Sequence, residues 1–105
     1  MTGQDFSGNE GRSRMPRYVV ERDFPGELQL PIDARGADIC LGIIEVNRNE
    51  EVVWLHSYVS DDRKKTFDVY DAPSPEALRR AANRNKLPLT RITEVRVLCP
   101  YFYLP

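Results

Sequence analysis

Two alternating runs, EVVWLHSYVS (51–60) and KTFDVYDA (65–72), flank the charged link SDDRKK. Both are rich in β-branched and aromatic residues, which suit a pleated, half-buried surface, and their spacing predicts a β-hairpin. A hairpin with two unlike faces needs a second layer on one of them, which narrows the fold more than any other feature of the chain. Setting Tyr58 opposite Asp68 and His56 opposite Tyr70 places aliphatic side chains against one another. It leaves Asp61 to Lys65 as a five-residue turn, an ordinary hairpin length.

The flanking segments supply the layer. RYVVERDF (17–24) alternates as a strand, with Tyr18, Val20 and Arg22 on one side and Val19, Glu21 and Asp23 on the other, and Pro25-Gly26 ends it. Ile32, Ile39, Ile43 and Val46 then recur at roughly helical spacing, with Asp33 as cap and Asn47-Arg48-Asn49 as close. Gly36 and Gly42 each weaken that helix by about 1 kcal/mol relative to alanine. Ser74-Pro75-Glu76 starts a second helix, and Leu87-Pro88 stops it. ITEVRVL (92–98) is the last strand, and PYFYLP closes the chain with three consecutive aromatics. The order β-α-β-β-α-β predicts an α+β, ferredoxin-like domain. It has a four-stranded antiparallel sheet in the order 4-1-3-2, with both helices on one face. Residues 1–14 are polar and glycine-rich and predict a disordered tail, so the single domain spans 15–105.

Fifteen basic and sixteen acidic residues give a net charge of -1, which argues against a nucleic-acid surface. Apolar runs are too short for a bilayer span or a signal peptide. Cys40 and Cys99 lack a CxxC partner and are expected as free thiols in the cytoplasm.

The chemistry rests on the sheet face away from the helices. The alternation predicts Val53, Leu55, Val59, Phe67, Val69, Val95 and Val97 beneath the helices. It leaves Val19, Glu21, Trp54, His56, Tyr58, Asp68, Tyr70, Glu94 and Arg96 opposite. That mixture is too apolar for water and too polar for a dry core. A second copy covering it would make a homodimeric α+β barrel, latched by the aromatic C-terminus. His56, Asp68, Glu21 and Glu94 are candidate ligands for nickel or another divalent transition metal, since imidazole and carboxylate suit such ions. Trp54, Tyr58, Tyr70 and Arg96 are candidate pocket residues for an unidentified small molecule. Alternatively His56 is a structural residue bonded across the strands to Tyr70 or Asp68, or an acid or base in a small enzyme. Asp61 to Lys65 and the Arg79, Arg80, Arg84 series are expected as solvated surface, and Glu21-Arg22 as half of a buried ion pair.

MPRYVVERDF, WLHSYVSDDRKKTFDVYDAPSPEALRRAA and LPLTRITEVRVL resemble a bacterial family of small domains described as nickel-binding or nickel-responsive. The likeness runs from about Met15 to Tyr103, and YVVER, HSYVS and YDAPSPEA carry it. It implies a ferredoxin-like fold, a dimer and a non-catalytic metal-binding role. Two departures stand out: Asp68 lies where members commonly carry cysteine, and Ala81 where they carry histidine. Both imply weakened nickel binding, a different metal preference, or no metal binding at all. Lys86 replaces the family's usual helix-ending glycine, which makes Asn85 the expected left-handed cap.

Overall fold

The computed structural model describes residues 15–103; the expected tail over residues 1–14 lies outside the described residues. The chain runs β1 (Arg17–Asp23), α1 (Ala34–Asn49), β2 (Val53–Val59), β3 (Lys65–Asp71), α2 (Pro75–Asn85), β4 (Arg91–Val95) and a 3-10 turn (Pro100–Tyr103). The four strands form one sheet in the order β2-β3-β1-β4, and every pairing is antiparallel. This is the α+β ferredoxin-like arrangement expected from the element order, with β1 and β3 central.

Both helices start where their caps predict. The Asp33 carboxylate accepts hydrogen bonds from the backbone N–H of Arg35 (2.9 Å) and Gly36 (3.2 Å). The Ser74 hydroxyl accepts one from Ala77 (3.2 Å). Each cap satisfies N–H groups that the helix itself leaves free and is worth about 1 kcal/mol. Gly36 has a packing role as well: a Cβ there would collide with the Pro31 carbonyl oxygen, so only glycine admits this entry to α1. At the end of α2, Lys86 itself takes the left-handed conformation (φ 58°, ψ 41°), where Asn85 was expected to do so. Asn85 stays helical because its side-chain amide donates to Asn47 Oδ1 at 3.2 Å, tying α2 to α1.

The core lies between the sheet and α2. Ala77, Leu78, Ala81 and Ala82 bury the apolar stripe of α2 against Tyr18, Val20, Tyr70 and Ala72. Leu78 alone contributes roughly 1.5–3 kcal/mol by leaving water. Helix α1 is bound more loosely: only Gly36 and Asn47 are buried along it, and Ile39, Leu41 and Ile44 remain exposed.

The hairpin register corrects the expected faces. Trp54 pairs with Tyr70, but His56 pairs with Val69, and a bulge between them absorbs Leu55. Beyond the bulge, Ser57 faces Asp68 and Tyr58 faces Phe67, one residue away from the pairing that simple alternation predicts. The turn is correspondingly shorter. Ser60 N–H bonds Lys65 C=O at 2.9 Å, and the tip is fastened by Asp62, whose carboxylate accepts from Ser60 Oγ and Lys64 N–H. Trp54, Asp68, Tyr70 and Glu94 therefore lie on the helix side of the sheet, and Phe67, Val69 and Val95 on the open side, the reverse of the expected assignment. On β3 the expected parity inverts because Thr66, Asp68 and Tyr70 are all buried on the helix side, while the open side buries Val69 alone: a polar set replaces the aliphatic one assumed to mark the core. Strand β4 also ends at Val95, earlier than the expected 98, because its partner β1 begins at Arg17 and offers no ladder beyond that pair.

Candidate functional site: the open sheet face

The open face is read off the ladder in rows. One row carries His56, Val69, Val19 and Thr93, and the next carries Tyr58, Phe67, Glu21 and Arg91. Val53, Asp71, Arg17 and Val95 form a third row at the other end of the face. His56 stands exposed on the outermost strand with its ring edge-on to Tyr58, centroids 5.3 Å apart and planes at 89°. Tyr58 is 63% exposed, a large aromatic presented to solvent at the edge-strand end of its row. Glu21 is half-buried, and its carboxylate lies 4.0 Å from the Arg91 guanidinium.

Of the four expected metal ligands, His56 and Glu21 share the open face, and Asp68 and Glu94 do not. Strands lie about 4.8 Å apart and residues rise about 3.3 Å along them. Two strands and two residues therefore put the Cα atoms of His56 and Glu21 roughly 12 Å apart, with Val69 and Phe67 between. Among the described residues no group of three or more His, Cys, Asp or Glu is placed to hold a metal ion. The described donors of a single copy thus do not form a metal centre.

Asp68 has a different partner. It is 6% exposed and sits beneath the helices, where its carboxylate accepts from Arg22 Nε at 2.7 Å. The same guanidinium donates to Tyr70 Oη (3.0 Å) and to the Pro88 carbonyl oxygen (2.6 Å) and lies 5.9 Å from the Tyr70 ring centroid. Burial pushes the Tyr70 phenol above its ordinary pKa, so it remains a neutral acceptor for Arg22. The expected buried ion pair is therefore present, with Asp68 as the partner. Its signal in the sequence was parity: Arg22 continues the Tyr18–Val20 side of β1. Glu94 lies opposite Tyr18 across β1 and β4.

The expected pocket residues also separate. Trp54 and Tyr70 face the helices, and Trp54 Nε1 donates to Ser57 Oγ at 2.8 Å, a contact the bulge makes possible. Tyr58 stands on the other side of the sheet, and Arg96 lies past the end of β4. The positions of the two family departures, Asp68 and Ala81, are both buried on the helix side, away from His56. A ligand at position 81 on α2 and one at His56 would therefore lie on opposite sides of the sheet. The Arg79, Arg80, Arg84 series is exposed as expected, but Arg80 and Arg84 both donate to Glu50, at 2.8 and 3.4 Å. Cys40 and Cys99 are free thiols. No helix among the described residues is long and apolar enough to cross a membrane.

A split βαβ domain with one helix-covered sheet face and one open face bearing a lone imidazole defines the class of protein. The model of the family described as nickel responsive protein SCO4226-like matches residues 18–95, and the chain belongs to that family. The crystal structure of SCO4226 from Streptomyces coelicolor A3(2) superposes with a TM-score of 0.63 at 14% identity. The match covers 79% of this chain and 99% of that one, a likeness of fold. No curated protein sequence matches the chain.

Proposed function

We propose that this is a small, non-catalytic metal-binding protein of the nickel type, working as a homodimer whose two open faces meet. His56 is the principal ligand and Glu21 the oxygen donor of the same face, so the centre draws on both copies. Membership of the nickel-responsive family carries the reading, and the exposure of the single imidazole, edge-on to Tyr58, supports it. Two copies related by a two-fold axis bring two imidazoles and two carboxylates to one layer, a donor set suited to nickel, zinc or copper(II). With Asp68 committed to Arg22, that set is sparser than the four ligands expected from the sequence. Affinity for nickel is accordingly weak, and selectivity over zinc is low.

Isothermal titration of chelator-treated protein with nickel and zinc tests this. His56→Ala should abolish the heat of binding and Glu21→Gln should reduce affinity about tenfold, while Glu94→Gln leaves it unchanged. Indistinguishable isotherms for wild type and His56→Ala would remove the site. Leu98 and Tyr101 are exposed and belong to the arm that latches the second copy. Truncation before residue 99 should lower the mass measured by light scattering.

A further inference from the structure

On the far side of the sheet from His56, a cavity of about 330 Å³ lies between α1, the β1–α1 connection and strands β2 and β3. Leu28, Ile39, Ile43, Val59 and Leu87 line it, and Trp54 stands among them. Its floor is polar: Arg22, Asp68, Ser57 and Thr66 all reach its wall. The volume falls within the range of about 300–1,000 Å³ in which small-molecule sites are found, and apolar walls with a few converging polar groups are their usual chemistry.

Two features of the floor select the ligand. Arg22 and Asp68 are paired at 2.7 Å, so the floor carries no net charge; Glu27, the other charged residue of the lining, is exposed to solvent, and an anionic guest on the floor would be buried without a counter-ion. The Thr66 hydroxyl, on a residue only 3% exposed, is buried with no hydrogen-bond partner. An orphaned buried hydroxyl is costly and uncommon, and a guest that accepts a hydrogen bond from it relieves that cost. The roof is suited to admission as well, because α1 buries only Gly36 and Asn47 along its length. We propose that this cavity is a binding site for an uncharged, largely apolar small molecule bearing a carbonyl-type acceptor, which takes a hydrogen bond from Thr66. The site is separated from His56 by the sheet and is independent of metal.

The neutral naphthalene ketone dye Prodan fits this chemistry and reports on it by emission colour. Added to the full-length protein, it should bind saturably with a blue-shifted emission and quench the emission of the single tryptophan, Trp54. Thr66→Val, which keeps the shape and removes the hydroxyl, should weaken binding roughly fivefold. Ile43→Trp should fill the cavity and abolish binding, with Ile39→Trp as the milder variant if circular dichroism shows Ile43→Trp unfolded. The naphthoate analogue, which carries a carboxylate in place of the ketone, should bind at least about tenfold more weakly than Prodan, since its charge has no free partner. His56→Ala should bind Prodan like wild type, which separates this site from the metal reading. Absence of saturable binding overturns the proposal, as does binding that survives both tryptophan variants. Thr66→Val affinity equal to wild type overturns the assigned hydrogen bond, and equal affinity for the naphthoate overturns the neutrality of the site.

Discussion

Lys86 holds φ at 58° at the end of α2, a conformation that costs an L-residue about 1–2 kcal/mol and glycine nothing. Part of that gain is offset by the greater freedom glycine has in the unfolded chain. Lys86→Gly should therefore raise stability by about 0.5–1 kcal/mol, measured by urea denaturation. The same scale decides what Asp68 does. Arg22 and Asp68 have side chains 4% and 9% exposed, and removing either strands the other. Arg22→Met is expected to cost about 3–5 kcal/mol, and the double variant Arg22→Met/Asp68→Leu should recover much of it, because two apolar groups need no partner. A double variant as unstable as the single one would show that the loss comes from Tyr70 Oη and the Pro88 carbonyl left without their donor, and not from a stranded Asp68 carboxylate.

Of the two helices α1 is the more loosely packed, and the Glu50 carboxylate joins the Asn85–Asn47 hydrogen bond in fastening its end. Glu50 follows the last residue of α1 and accepts from Arg80 and Arg84 of α2. The hydrogen bond from Arg80 is the main reason its carboxyl is held below the ordinary pKa, with attraction to both guanidiniums adding to it against desolvation. A depressed carboxyl favours the folded state fully above its unfolded pKa, and that contribution is lost as pH falls through the folded value. Glu50→Gln should thus be less stable than wild type at neutral pH, and the gap between the two should close on acidification below about pH 4. Thermal melts across that range measure it. The bulge at Leu55 belongs to this scale too. One additional residue lets Trp54 face the helices while His56 faces away, although residues two apart on a regular strand share a side.

For the whole molecule, the consequence is a sheet with one side packed and one side bearing exposed Val53 and Tyr58 beside half-buried Val19 and Phe67. An apolar surface rimmed by charge marks a contact surface, and pairing of two copies through it underlies the proposed function. Tyr58→Asp places a carboxylate in that layer without touching the core. It should leave the circular dichroism spectrum unchanged and shift the mass by light scattering to that of one chain. A dimer that tolerates this change would locate the contact elsewhere on the molecule.

Element order, both helix caps, the antiparallel sheet and its strand order were legible in the sequence, because each rests on local chemistry: alternation for strands, a capping side chain for helix starts, proline and glycine for stops. Which side of the sheet is dry was not. Alternation states that two sets of residues diverge, but the choice between them rests on total burial. On β3 a polar set, Thr66, Asp68 and Tyr70, is the one inside, since Arg22 and the backbone of Pro88, distant in sequence, satisfy it. The bulge is equally nonlocal, since an extra residue in one strand is defined only against its partner. So the sequence determined that Val19 and Glu21 share a side of β1, and tertiary packing decided, through the bulge and the polar interior of β3, that His56 joins them and that Asp68 and Glu94 do not.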